Sequence, residues 1–391
     1  MRWTQGVGLL ALMAAAACAP LGRPARLLVL WHALDPERGA ALARLTEAFM
    51  ARHPDVAIYI ETFPGSSELL RRLHQPSERG PDLVLIPSEA VPALVQAGRL
   101  TPLRPWMEDP VRGLSAAERQ DLLPPTTAGS LPFLREGLVL YADTDRLLES
   151  GLEQPPGDWE AIRQVCLRGA LDLNGDGIPD TAGWMAPRAA WTLQGWLAGR
   201  SEAEAQALLE AVQGMLRVGC ARLADPPQAL RAFLEGETVL LFGSSRWLFT
   251  LERESEAGRL RFRPALAPLP DPGMRGRPIL PGWGWDLAIA ATDPGQQAAA
   301  WSFIRWTLDP EVQVRWAQEA QALPVRRTAA VRLQQLAGPD SLVGQLMKWV
   351  LEGYQEEPAD QRPAAPRLEE ALRLLESGTA VSILLDRLRS P

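Results

Sequence analysis

Few residues in this 391-residue chain are equipped for catalysis. The three histidines, His32, His53 and His74, are too scattered to build a multi-histidine metal centre. His53 precedes Pro54, where it reads as a helix stop. No Walker loop, G-x-G-x-x-G, H-E-x-x-H or G-x-S-x-G stretch occurs, so the common nucleotide, zincin and serine-hydrolase chemistries lack their signatures. One polar motif is specific. Asp172, Asn174, Asp176 and Asp180 stand at positions 1, 3, 5 and 9 of an EF-hand-like loop, with Gly177 for the turn and the Ile178 carbonyl as a further oxygen. Position 12, where a bidentate Glu belongs, is Gly183. Two structural readings follow, a bound calcium ion or an array of Asx turns. No other cofactor is required.

Tryptophan is unusually frequent, with 14 residues against 8 phenylalanines and 3 tyrosines. Trp301 and Trp316 fall at helical core spacing. Trp31, Trp283 and Trp285 instead sit at or beside short apolar runs, and open α/β sheets hold ligands at their strand ends. An indole there offers a flat apolar face and one N–H donor, suited to the C–H face and hydroxyls of a sugar. Ser88-Glu89 and Gly243-Ser244-Ser245-Arg246 also stand where a strand gives way to a helix. Free backbone N–H groups and short hydroxyls can hold a polar ligand at such a junction.

These residues need elements to position them. Leu27–Trp31 has strand character, and Asp35-Pro36 then opens a helix carrying Leu42, Leu45 and Phe49. Val56–Ile60 and Asp82–Ile86 read as strands, Ser67–Leu73 and the stretch from Ser88 to Gly98 as helices. This β-α-β-α-β order predicts a parallel sheet with right-handed crossovers. Farther on, strands are expected at Leu138–Tyr141, Val239–Phe242 and Leu287–Ala291, with helices between them and helices from Gln296 to Arg389. The length suits two domains. At 47% hydrophobic and 22% charged residues the chain is neither disordered nor a polytopic membrane protein. A net charge of −7 argues against nucleic acid as a partner.

The N-terminus reads as an export signal: Arg2, an apolar run from Val7 to Ala17, then Cys18 behind small residues. On this reading residues 1–17 would be the signal peptide, Cys18 the lipidated first residue of the mature chain and 18–25 a tether, holding the protein on the outer side of the cytoplasmic membrane. The alternative is a plain signal peptide with an incidental cysteine. Cys166 and Cys220 are the other two cysteines. In an oxidising compartment they form one disulfide or remain as two buried thiols.

The chain resembles the extracellular solute-binding proteins of ABC importers, in the sugar- and glycerol-3-phosphate-binding group. The blocks that carry the resemblance include Leu30-Trp31-His32-Ala33, Gly65-Ser66-Ser67-Glu68-Leu69, Pro81-Asp82-Leu83-Val84, Phe233-Leu234-Glu235-Gly236-Glu237 and Leu323-Pro324-Val325. The resemblance implies an α/β, two-lobed periplasmic-binding-protein-like fold (type II) with the ligand cleft between the lobes. Lobe 1 would comprise 26–138 with 286–330, and lobe 2 would comprise 139–285 with 331–391. It also implies ligand roles for Glu89, for Ser244 or Ser245, and for Gly282. His32, Arg135 and Glu136 join the candidate ligand set with Trp31, Ser88, Arg246, Trp283 and Trp285. The expected protein is a monomeric, membrane-anchored lipoprotein that captures a carbohydrate or polyol and delivers it to permease subunits without catalysis. The alternatives are a secreted glycan-processing enzyme, which needs two carboxylates across the cleft, and a ligand-binding sensor module.

Overall fold

The computed structural model describes residues 25–75, 80–123, 129–270, 280–355 and 365–389, so the leader, Cys18 and most of the tether lie outside the described residues. The chain begins as expected. Strand β1 (Arg26–His32) runs parallel to β2 (Val56–Thr62), from Arg26 opposite Val56 to His32 opposite Thr62. The helix Pro36–Arg52 between them is capped by the Asp35 side chain, which accepts from the Arg38 amide, and it buries Leu42, Leu45 and Phe49. Strand β3 (Leu83–Pro87) then pairs in parallel with β1.

The parallel pairing expected from the opening β-α-β-α-β run holds across β1, β2 and β3, and beyond β3 the sheet is mixed. Strands β4 (Ser130–Asp143), β5 (Ala182–Pro187), β6 (Ala221–Ala224), β7 (Thr238–Ser244), β8 (Pro264–Ala267), β9 (Leu280–Ile289) and β10 (Tyr354–Gln355) complete a ten-stranded mixed sheet. Its order is β2-β1-β3-β9-β4-β7-β5-β6, with β8 added on β4 and β10 on β9. The joins β3–β9, β9–β4 and β4–β7 are antiparallel. The cause is connectivity. Both β4 and β9 are long strands that pass from one half of the molecule to the other, and their directions are opposed.

The buried side chains fall into separate cores. One set draws on Leu28–Leu134 and Leu287–Val325, with a satellite around Trp31, Phe63 and Leu69. The other draws on Leu138–Leu269 and Leu368–Leu385, and continues around Tyr141, Phe233 and Leu346. The chain passes between the two sets between Leu134 and Leu138, between Trp283 and Trp285, and around Leu323. In the second set, Trp184 and Trp196 meet Phe242 edge-on at 5.5 Å, and Trp159 stacks on it at 5.4 Å. Five of the thirteen described tryptophans, Trp31, Trp184, Trp196, Trp301 and Trp316, are buried core residues. Trp301 and Trp316 are core as expected, their indole N–H groups donating to the Arg112 and Phe133 carbonyls. Cys166, on the helix Trp159–Gly169, and Cys220, just before β6, are joined in a disulfide with Cα atoms 5.1 Å apart.

Candidate functional site

The crossing strands decide which side chains can meet a ligand. Leu134 lies opposite Trp285, Arg135 opposite Gly284, Glu136 opposite Trp283, and Gly137 opposite Gly282. Directly opposed residues of an antiparallel pair share a face, and alternate residues change face. Glu136, Trp283 and Trp285 therefore share one face of the ribbon, and Arg135 takes the other.

On that other face is a buried polar strut. Arg135 donates from Nη2 to Asp286 Oδ1 at 2.6 Å and from Nη1 to the Trp285 carbonyl at 2.9 Å. Asp286 also accepts from the Ser88 hydroxyl at 2.7 Å and from the Ser130 hydroxyl. Arg135 is 2% exposed and Asp286 1%. Gly284 makes room for this arrangement, since a Cβ there would lie 2.0 Å from the Leu134 carbonyl oxygen and 2.7 Å from Arg135 Cδ.

On the first face lies a cavity of 170 Å³ lined by groups from both halves: Ser66 and Glu89 from one, Trp191 and Gln194 from the other, and Trp283 and Trp285 from β9. Trp191 stacks on Trp283 with centroids 5.1 Å apart and planes 15° from parallel, and Trp247 meets Trp191 edge-on at 6.1 Å. A polar cluster follows along the same face. Glu136 accepts from Arg38 Nη1 at 2.6 Å and from the Ser244 hydroxyl. The Arg246 amide donates to Ser244 Oγ at 3.1 Å, and its guanidinium contacts Asp35 at 2.8 Å and Glu37 at 2.7 Å. Burial opposes charge on Asp35, but hydrogen bonds from the Arg38 amide and the Arg246 guanidinium outweigh it and hold its carboxyl below the usual range.

Several expected ligand residues are occupied elsewhere. Trp31 is 3% exposed and packs on Phe63 at 4.9 Å, because β1 lies inside the sheet and the side chain faces the core beneath the helix Ser66–His74. His32 is buried, with Nδ1 accepting from the Leu34 amide and Nε2 at 3.1 Å from Thr62 Oγ1. Desolvation lowers its pKa, so it is a neutral, satisfied core histidine. Ser88 and Arg135 belong to the strut, and Ser245 ties β7 to the ribbon through its hydroxyl and amide, both bonded to Gly137. Glu89, Trp283 and Trp285 do line the cavity, Glu136, Ser244 and Arg246 form the adjacent cluster, and Gly282 contributes only ribbon backbone.

Trp191 and Gln194 were not expected. Trp191 sits at the start of the helix Ala190–Leu197, just after β5, the same strand-to-helix junction that picked out Ser88-Glu89. The loop at Asp172–Asp180 is exposed, and its side-chain oxygens bond backbone amides: Asp172 accepts from Gly175 and Gly177, Asn174 from Asp176, Asp176 from Ile178, and Asp180 from Leu173 and Asn174. Gly183 lies in β5, where a Cβ would sit 2.3 Å from Cys166 Cα, so the twelfth loop position has no room for a glutamate. Among the described residues no cluster of three His, Cys, Asp or Glu side chains is arranged for a metal ion.

A cleft between two α/β lobes, floored by crossing strands, defines a two-lobed binding protein of the periplasmic type. Residues 44–336 match the bacterial extracellular solute-binding proteins, and the chain belongs to that family. It is similar to the maltotriose-binding protein of Pyrococcus abyssi (strain GE5 / Orsay), at 24% identity over 312 residues. That match covers 76% of this chain and 66% of the relative, just under two thirds of the relative's length. Among solved structures, the cyclic alpha-maltosyl-1,6-maltose binding protein from Arthrobacter globiformis has a TM-score of 0.69 at 18% identity, with 93% of this chain and 96% of that one covered. UgpB from Mycobacterium tuberculosis, solved in complex with glycerophosphocholine, has a TM-score of 0.72 at 20% identity, with 93% and 97% covered. At these identities the structural likeness establishes the fold. No helix among the described residues is long and apolar enough to cross a membrane.

Proposed function

We propose that this chain is the substrate-binding component of an ABC importer, capturing a sugar or polyol by lobe closure and passing it to the permease without a catalytic step. One observation carries the reading: a cavity walled by Trp191, Trp283 and Trp285, with both lobes and the crossing strand contributing. Indole faces exclude water and orient a ring, while fixed polar groups such as Glu89 and Gln194 select its hydroxyls. The maltotriose-binding relative supports a carbohydrate. A glycan-processing enzyme would need two opposed carboxylates, whereas the described lining of this cavity contributes one, Glu89. The buried cores support one lobe drawing on 28–134 with 287–308 and another on 138–269 with 343–385. The segment 314–330 divides between them, Trp316 and Val325 packing in the first and Val314, Ala317 and Ala330 in the second.

The deciding experiment is a thermal-shift series with maltotriose, mannotriose, glycerol and glycerophosphocholine. Ligand at one hundred times its dissociation constant adds about 2.7 kcal/mol to the folded state. A rise in melting temperature with maltotriose or mannotriose is the expected result, and no shift with any of the four would overturn the reading. In the same proposal the mature monomer is held at the outer membrane face through Cys18. Intact mass of detergent-extracted protein should then show a diacylglyceryl addition at a new N-terminal Cys18. A fully soluble mature form starting elsewhere would refute the anchor.

A further inference from the structure

We infer that Asp35, Glu37 and Arg246 form a lobe-to-lobe latch that sets how readily the cleft closes, acting as positioning residues and not as ligand contacts. The inference rests on the solute-capture reading above and concerns the charged end of the same cleft.

The partners come from opposite halves. Asp35 caps the first helix of lobe 1, with Glu37 in that helix's first turn, whereas Arg246 sits in lobe 2 between β7 and the helix Trp247–Glu256. Three contacts span this gap: Arg246 Nη1 to Asp35 Oδ2 at 2.8 Å, Nη2 to Asp35 Oδ1 at 3.3 Å, and Nη2 to Glu37 Oε2 at 2.7 Å. Nε points to Gln321 Oε1 at 3.4 Å. Every nitrogen of the guanidinium is thereby engaged, and the nearby Ser244 hydroxyl is given to Glu136. A ligand would have to displace these partners to use either group.

Two further features fit a latch. The Arg246 side chain is 22% exposed, so its pairing with Asp35 is only partly screened by water, while Glu37, at 78%, adds a weaker outer contact. Gln321 is the one non-glycine residue with positive φ among the described residues, at φ 51° and ψ 54°. Its carbonyl accepts from Arg38 and its side chain from Arg246, so guanidiniums from both halves meet at this backbone position. Such conformations persist where their surroundings hold them and cluster at sites that move or bind.

The consequence is thermodynamic. Contacts between groups of different lobes break as the lobes part, so they favour the closed state without touching ligand. Apparent affinity scales with the fraction of molecules able to close. The latch raises that fraction, and weakening it lowers apparent affinity while leaving each lobe intact.

Spin labels at Tyr59→Cys and Val218→Cys, exposed positions on opposite lobes, report the interlobe distance in the full chain. Arg246→Gln should move the distribution to longer distances and raise the dissociation constant for maltotriose about tenfold, with an unchanged apo melting temperature. Asp35→Asn with Glu37→Gln should do the same, because asparagine preserves the helix cap. Arg246→Glu alone should open the protein further, and adding Asp35→Asn with Glu37→Arg should restore the shorter distances. An unaltered distance distribution in Arg246→Gln, or no recovery on charge reversal, would overturn the latch. If none of maltotriose, mannotriose, glycerol and glycerophosphocholine binds any form of the protein, the solute-capture reading fails, while the distance measurement still decides the latch.

Discussion

Replacing Trp283 by alanine is expected to weaken ligand binding between tenfold and a hundredfold while costing the apo fold less than truncation of a fully buried tryptophan does. The indole is half-buried, with Trp191 stacked against it and the cavity beside it. A tryptophan side chain carries about 200 Å² of surface. If ligand covers half of that, the apolar contribution at about 25 cal/mol per Å² is about 2.5 kcal/mol. Each 1.4 kcal/mol is about a factor of ten in affinity. The apo cost combines the packing of the indole's buried half against the core with its pairing to Trp191, the pairing alone adding about 0.5–1.5 kcal/mol. Trp196→Ala supplies the contrast, since that indole is fully buried beside Phe242 and its truncation should cost the apo fold about 3–5 kcal/mol. Calorimetric titration and thermal melts of both variants separate the roles. Unchanged affinity with a large apo destabilisation in Trp283→Ala would return that indole to the core and remove the strongest physical argument for a sugar.

What could be read in advance follows from what a one-dimensional pattern contains. The opening β-α-β-α-β run was legible because its caps, stops and apolar spacing are local: Asp35-Pro36 starts a helix and His53-Pro54 ends it. The antiparallel centre was not, because long-range pairing leaves no local mark. Trp283 and Trp285 were found through an expected strand end, yet β9 runs from Leu280 and contains both. They reach the cleft because the strand crosses between lobes. Trp31 was chosen by the same rule and lies in a core, since strand character does not say what covers the strand. Arg135 and Glu136 are adjacent in sequence and both charged, and only the register against Gly284 and Trp283 sends one to a strut and the other to the cleft. Trp191 escaped because β5 is short and contains Gly183, which the loop motif had claimed as its twelfth position.

The strut behind the cleft predicts the largest loss of stability from a polar substitution. Asp286→Ala would take the Asp286 carboxylate away from the buried Arg135 guanidinium and remove that acceptor from the Ser88 and Ser130 hydroxyls. Removing one partner of a buried pair costs about 3–5 kcal/mol, mostly the penalty of the stranded charge. Asp286→Asn should cost less, because an amide oxygen can still accept from the hydroxyls. The comparison that isolates the cause is Asp286→Ala combined with Arg135→Met. If the buried charge dominates, the double variant should be more stable than Asp286→Ala alone, since a flexible apolar side chain replaces a buried cation deprived of Asp286. Urea unfolding with unchanged m-values would report these differences as shifts in midpoint. A loss below about 1 kcal/mol in Asp286→Ala would mean that water or its other partners satisfy Arg135 there, and the crossing strands would then owe their alignment to backbone pairing. A loss of the expected size, partly regained in the double variant, would show why two charged residues side by side on β4 serve different ends: Arg135 holds the ribbon in register, which leaves Glu136, Trp283 and Trp285 aimed into the cleft.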